Sequence, residues 1–298
     1  TVHLLRRKLL WDGACHEQVE LTNHGMTEVS LELEVRLDAD FTDLFEIRGS
    51  TRAERGTLLA PTIEQGTLVM AYDGLDGVQR RTVVRFDPAP SALEINTARF
   101  AVSLPAGGQA RVSWQISFEP PEEPAPRPMT YSEALENHLA LLNRRAADRC
   151  RITSSNPLMD RWIQRSVSDL DMLSTALPTG PYPYAGVPWF CTTFGRDALI
   201  TAHQSLWLRP DLARGVLVFL AASQANTVDA STDAQPGKIL HEARRGEMAA
   251  TGEVPFARYY GSVDSTPLFV VLAAAYWQRT GDLALIRSLW LNILAALQ

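Results

Sequence analysis

Through the first 120 or so residues, apolar side chains recur at every second position. Val29, Leu31, Leu33, Val35 and Leu37 share one face of an extended chain, with Glu28, Ser30, Glu32, Glu34 and Arg36 on the other, which predicts a half-solvated antiparallel strand. Val19 and Leu21 show the same alternation. Val112, Trp114, Ile116 and Phe118 repeat it after the turn at Gly107-Gly108, and Val83/Arg85 and Leu93/Ile95 fit shorter strands. Several short strands separated by Asp-Gly and Pro-rich breaks predict a β-sandwich over residues 1–119. The run Glu119-Pro120-Pro121-Glu122-Glu123-Pro124-Ala125-Pro126-Arg127-Pro128 then lacks half its backbone donors and favours an extended course. It predicts a semi-rigid linker at 120–130.

Beyond the linker the period changes from two to 3.6. Leu135, Leu139 and Leu142 mark a helix from about Ser132, its plausible N-cap, to Cys150, and Leu158, Trp162, Ile163, Val167 and Leu170 form one stripe of a second helix after Asn156-Pro157. The Pro-, Gly- and Tyr-rich stretch 178–188 predicts irregular backbone. Helices are expected at Ala198–Trp207, Leu212–Gln224, Leu268–Arg279 and Leu283–Ala296, with a long polar loop at roughly 225–261. A loop of that length inside a compact domain is usually functional. Residues 131–298 are thus predicted to be a second, helical domain.

Composition narrows the class. The chain has 298 residues, 46 % hydrophobic and 21 % charged, with a net charge of −6 and no basic block, so it is an ordinary globular chain that suits neither nucleic acid nor an anionic membrane surface. The three cysteines, Cys15, Cys150 and Cys191, stand far apart in no CxxC or Cys/His spacing, which argues against a disulfide framework or structural zinc and makes a reducing cytoplasm the expected setting. No apolar run of about 18 residues predicts a membrane span, and no signal peptide is visible.

Two stretches concentrate candidate chemistry. Trp189, Phe190 and Phe194 crowd a polar loop that ends in Gly195-Arg196-Asp197 at a predicted helix start; Tyr260-Gly261-Ser262-Val263-Asp264 repeats the design before the helix at Leu268. Aromatic faces beside an Arg and carboxylates suit a sugar ring, stacking on its C–H surface and pairing with its hydroxyls. The competing reading makes Asp197 and Asp264 helix caps and nothing more. His241-Glu242 with Arg244 resembles an acid/base or metal group, but no second His lies at the spacing of a zinc helix, and phosphate loops and nucleotide fingerprints are missing. No metal and no cofactor are expected.

The block Pro188 through Ile200, then Gly237-Lys238-Ile239-Leu240-His241-Glu242, then Gly252-Glu253-Val254-Pro255-Phe256 and Tyr259 through Phe269 resembles the bacterial amylo-α-1,6-glucosidase family, relatives of the glucosidase part of glycogen debranching enzyme. Asp40-Phe41-Thr42-Asp43-Leu44-Phe45-Glu46-Ile47-Arg48-Gly49 resembles the signature of that family's N-terminal domain; read from composition alone, it is a solvated loop or strand edge. The resemblance implies a β-sandwich followed by an (α/α)6 toroid, an α-glucan or α-glucoside substrate, and inverting hydrolysis by an acid and a base. A toroid of six hairpins needs about twelve helices, and the pattern predicts six. The family's Gly-Trp-Lys-Asp-type acid motif is absent, so the acid and base are expected beyond Gln298. The fold expected is therefore a sandwich plus helix hairpins of an incomplete toroid, completed in cis or by a partner chain. Trp189, Phe190, Arg196, Asp197, His241, Glu242, Tyr260 and Asp264 are the expected sugar-holding residues. The alternatives are a non-catalytic carbohydrate-binding module, or a related trehalase-like or mannosylglycerate hydrolase-like enzyme.

Overall fold

The computed structural model describes residues 1–119, 125–147 and 152–298. Residues 120–124 of the predicted linker and the expected helix end at Cys150 lie outside the described residues. The chain divides into two compact units, Thr1–Ala147 and Asp148–Gln298.

The first unit is an antiparallel sandwich. Its larger sheet contains β1 (Val2–Trp11), β2 (Ala14–Asn23), β4 (Thr57–Leu58), β5 (Thr62–Glu64), β6 (Thr67–Asp73), β7 (Gln79–Asp87) and β10 (Gln109–Glu119); the smaller contains β3 (Val29–Arg36), β8 (Ala92–Glu94) and β9 (Thr97–Leu104). The spatial orders are β1-β2-β10-β7-β6-β4, with β5 on β6, and β3-β9-β8. Val19, Leu21, Leu68, Met70, Val84, Val112 and Trp114 of the larger sheet meet Ala98, Phe100, Val102 and Leu104 of the smaller in one core, with Leu31, Leu33 and Val35 packed against it. The alternation of β3 reports this core faithfully, one face in and one out.

The opposite face of β2 and β10 departs from a half-solvated sheet. His16, Ser113, Gln115 and Ser117 point away from the core, yet all are buried. Helix α2 (Tyr131–Ala147) packs on β1, β2 and β10, with Trp11 edge-on to His138 and Ala134 fully buried. The Gln115 amide donates to the Arg127 carbonyl and accepts from Met129 N–H, at 3.0 and 3.1 Å, so the segment before α2 is tied to the sheet. The first compact unit therefore extends through α2, where the change of period alone puts that helix in the second domain. Thr130, not Ser132, caps α2: its hydroxyl accepts the Glu133 amide while the Glu133 carboxylate accepts the Thr130 amide, a reciprocal capping box. Asp40–Gly49 contains a short helix, α1 (Leu44–Ile47), with Asp43 and Glu46 forming the same kind of box.

In the second unit α3 (Pro157–Leu173) begins as expected, Asn156 accepting the Leu158 amide. Its apolar stripe is largely uncovered: Leu158 and Trp162 are two-thirds exposed, and Met159, Trp162, Ile163 and Leu170 line a groove of about 370 Å³ with Trp207. Part of the stretch 178–188 predicted to be irregular is instead a strand, β12 (Gly180–Pro183), which pairs with β11 (Ser174–Leu177) in a hairpin. Two-stranded pairing tolerates Pro181 and Pro183 because each strand has a free edge, and Gly180 supplies a positive φ of 121° for the turn.

The core is built by α4 (Gly195–Gln204), α5 (Pro210–Ala222) and α7 (Ser265–Thr280), where Leu199, Val216, Leu217, Leu220, Phe269 and Leu272 are buried together with Tyr182. The loop at 225–261 holds α6 (Glu247–Ala250) and a 3-10 turn at Pro255–Ala257; its strand β14 (Glu242–Ala243) pairs with β13 (Thr193–Phe194). The predicted last helix is broken into α8 (Leu283–Ser288) and α9 (Trp290–Ala296), where the Ser288 hydroxyl donates back to the Leu285 carbonyl.

Candidate functional site

Strands β13 and β14 bring the aromatic loop and the His241-Glu242 segment together. Thr193 faces Ala243 and Phe194 faces Glu242, and the Gly195 amide donates to the His241 carbonyl at 2.8 Å. This approach requires glycine: a Cβ on Gly195 would lie 1.8 Å from the Leu240 carbonyl oxygen and 3.2 Å from the Ser265 hydroxyl. The Tyr182 hydroxyl accompanies it, donating to the Phe194 carbonyl within the core.

The two helix starts converge. Arg196 Nη1 lies 3.3 Å from Asp264 Oδ2, both side chains more than two-fifths exposed. Neither carboxylate caps its helix. Phe194 is the residue at the N-cap of α4, and Asp264, at the N-cap of α7, makes no side-chain capping bond. The Ser262 hydroxyl donates to Asp264 Oδ1 at 2.5 Å; that bond, with the Arg196 guanidinium, holds the Asp264 carboxyl below the usual aspartate range. Asp197, in the first turn of α4, is half-buried and makes no hydrogen bond or ion pair among the described residues. Asp264 is thus an ionised, paired carboxylate, and the Asp197 charge is felt by the buried Tyr182 hydroxyl.

The remaining predicted residues divide. Trp189 is partly exposed and Phe190 half-exposed, its ring 5.8 Å from Phe194. His241 sits edge-on to both Phe194 and Tyr259, 5.9 Å from each, and its Nδ1 is buried without a hydrogen-bond partner among the described residues. Glu242 is buried and receives Arg244 Nε at 2.7 Å. Tyr260 goes to the core: it is 6 % exposed and its hydroxyl donates to the Ser223 carbonyl at 2.8 Å, burial raising its pKa. The neighbouring Tyr259 is the more open tyrosine, donating to Asp233 Oδ2 at 2.7 Å. Arg244, the first residue after β14, is the partner of Glu242, and its only trace in the sequence is its place two residues on from that carboxylate. Among the described residues no three His, Cys, Asp or Glu side chains gather to hold a metal ion, and no helix is long and apolar enough to cross a membrane.

Residues 1–115 match the family model for the N-terminal domain of (some) glycogen debranching enzymes. The first domain is therefore of a kind found at the N-terminus of those enzymes. A solved structure from human microbiome, provisionally described as a kojibiose phosphorylase, matches 99 % of this chain with a TM-score of 0.52 at 11 % identity. That likeness is one of fold: a β domain followed by helices. The chain spans 42 % of the length of that structure. No curated protein matches the chain in sequence.

Proposed function

We propose that this chain is the N-terminal portion of a glycoside hydrolase of the glycogen-debranching type, and that its helical unit holds the terminal glucose of an α-glucoside. The observation that carries this reading is the meeting of two helix starts: Arg196 and Asp264 pair across them, and the open Asp197 carboxylate lies on the same short turn as Arg196. Paired, partly exposed charged groups suit sugar hydroxyls, and the partly exposed Trp189 indole would offer a surface for a sugar C–H face. The match of the first domain to debranching enzymes favours glucan over other polyols.

In this reading the helices are the opening hairpins of an (α/α)6 toroid. Further helices cover the uncovered apolar stripe of α3 and supply the acid and base of an inverting reaction in the cytoplasm. Asp264 is a poor proton donor, because its ionised form is the one stabilised; a general acid needs a raised pKa.

The chain titrated with isomaltose by calorimetry or NMR should bind it, and Asp197→Asn should weaken binding by about 10- to 100-fold, the value of a hydrogen bond to a charged group. The chain alone should release no glucose from isomaltose, maltose or panose. Unchanged binding in a folded Asp197→Asn overturns the site. Glucose release abolished by Asp264→Asn would place the catalytic pair within these 298 residues.

A further inference from the structure

Glu242 opens β14 and Arg244 directly follows that strand, and both side chains are less than one-tenth exposed. A charge that deeply buried requires a partner with good geometry. Here the pairing is unequal in what it leaves over. Glu242 is engaged by Arg244 Nε at 2.7 Å. The guanidinium has further donors, and Nη1 donates to the Trp189 carbonyl at 3.0 Å. Its plane is also used: Cζ lies 4.6 Å from the centre of the Trp189 ring and 5.6 Å from that of Phe194. A planar guanidinium can bond along its edge and stack on its face at once, which an ammonium cannot do.

We infer that Arg244, oriented by Glu242, is a positioning residue that sets the Trp189 indole at the mouth of the sugar site. Glu242 is then not a sugar ligand. The inference rests on the sugar-binding reading above for its consequence, though not for its geometry. The loop that carries Trp189 is itself closed by the Ala185 and Gly186 amides, which both bond the Phe190 carbonyl. Arg244 anchors that closed loop to the segment just after β14 through both the backbone and the ring of Trp189. The main chain of Arg244 is fixed in turn by its amide bond to the Phe256 carbonyl at 2.9 Å. With the guanidinium stacked on it, the Trp189 indole has a fixed orientation toward a sugar ring that packs against it. This makes Arg244 a determinant of sugar binding through Trp189 although it touches no sugar.

The test is a double-mutant cycle on the whole chain with wild type, Arg244→Met, Trp189→Ala and the double variant, plus Arg244→Lys, read by isomaltose titration and by thermal melting. Arg244→Met should weaken isomaltose binding by about tenfold, with no further loss when Trp189 is already Ala. Arg244→Lys, which keeps a charge for Glu242 and a folded protein, should bind as weakly as Arg244→Met. Equal losses in both backgrounds, or full affinity in Arg244→Lys, overturn the proposal. If wild type does not bind isomaltose, the sugar-binding reading fails, and melting decides the Arg244–Trp189 contact separately. Non-additive shifts in Tm uphold the Arg244–Trp189 coupling, and additive shifts refute it.

Discussion

Asp264 shows how one residue's surroundings decide its chemistry. The Ser262 hydroxyl first, then the Arg196 guanidinium, favour its ionised form. Its folded pKa therefore lies below that of an unfolded aspartate, about 3.9. The interaction contributes stability fully above that value and loses it as pH falls through the lower folded value. The difference in Tm between wild type and Asp264→Asn, present at pH 6, should accordingly close as the pH is lowered from about 4 toward 2. A gap that persists unchanged at low pH would mean that the carboxylate's charge is not what stabilises the turn. The effect is small, since both partners are more than two-fifths exposed and water screens them. Adjacent tyrosines make the complementary point: Tyr260 is held in the core by Ser223 while Tyr259 reaches Asp233 at the surface.

At the scale of elements, the site depends on close backbone contacts that only glycine allows. Gly195 joins β13 to α4 directly beneath the Leu240 carbonyl, and Gly215 on α5 lies where a Cβ would come 2.2 Å from the Pro181 carbonyl of β12. Because the obstacle at Gly195 is backbone, no side-chain rotation relieves it. Gly195→Ala should separate β13 from β14 and destabilise the chain by about 3 kcal/mol or more, at or above the upper end of ordinary overpacking. A denaturant titration showing a loss under about 0.5 kcal/mol, well below that range, would contradict the contact. The β13–β14 pair is two residues long on each side, too short to stand alone. Its stability comes from the Tyr182 hydroxyl at Phe194, the Gly195 amide at His241 and the Thr192 hydroxyl at Ala243.

At the scale of the whole molecule, each unit has its own core, and the first is closed by a helix. Residues 127–129 and α2 are bound to the outer face of the larger sheet through Gln115 and Trp11. A chain of residues 1–147 should therefore melt cooperatively and at a Tm several degrees above that of residues 1–119, which lacks the partners of Gln115 and the helix over β1, β2 and β10. Equal melting temperatures would show that α2 does not stabilise the sandwich. The second unit leaves Leu158, Trp162 and Leu291 well exposed along its helices, an apolar surface of the kind that further helices cover.

The alternation of Leu31, Leu33 and Val35, the stripe of the helices, the start of α3 after Asn156-Pro157 and the aromatic loop leading to Gly195-Arg196-Asp197 were all legible in the sequence, because each depends on neighbours a few residues away. The sequence by itself also determined which residue types were available for sugar chemistry. It did not determine their partners. Arg196 meets Asp264 across 68 residues and Arg244 meets Trp189 across 55, and no local pattern encodes such pairings. Nor could periodicity show that the polar outer face of β2 and β10 is buried under α2, or that β12 forms despite two prolines. Only the tertiary structure decided that Glu242 is buried with its near neighbour Arg244 and that Tyr260 turns inward to Ser223. A carboxylate or hydroxyl that finds a buried partner is committed to it, and where that partner lies is set by how the helices and the β13–β14 pair close on one another.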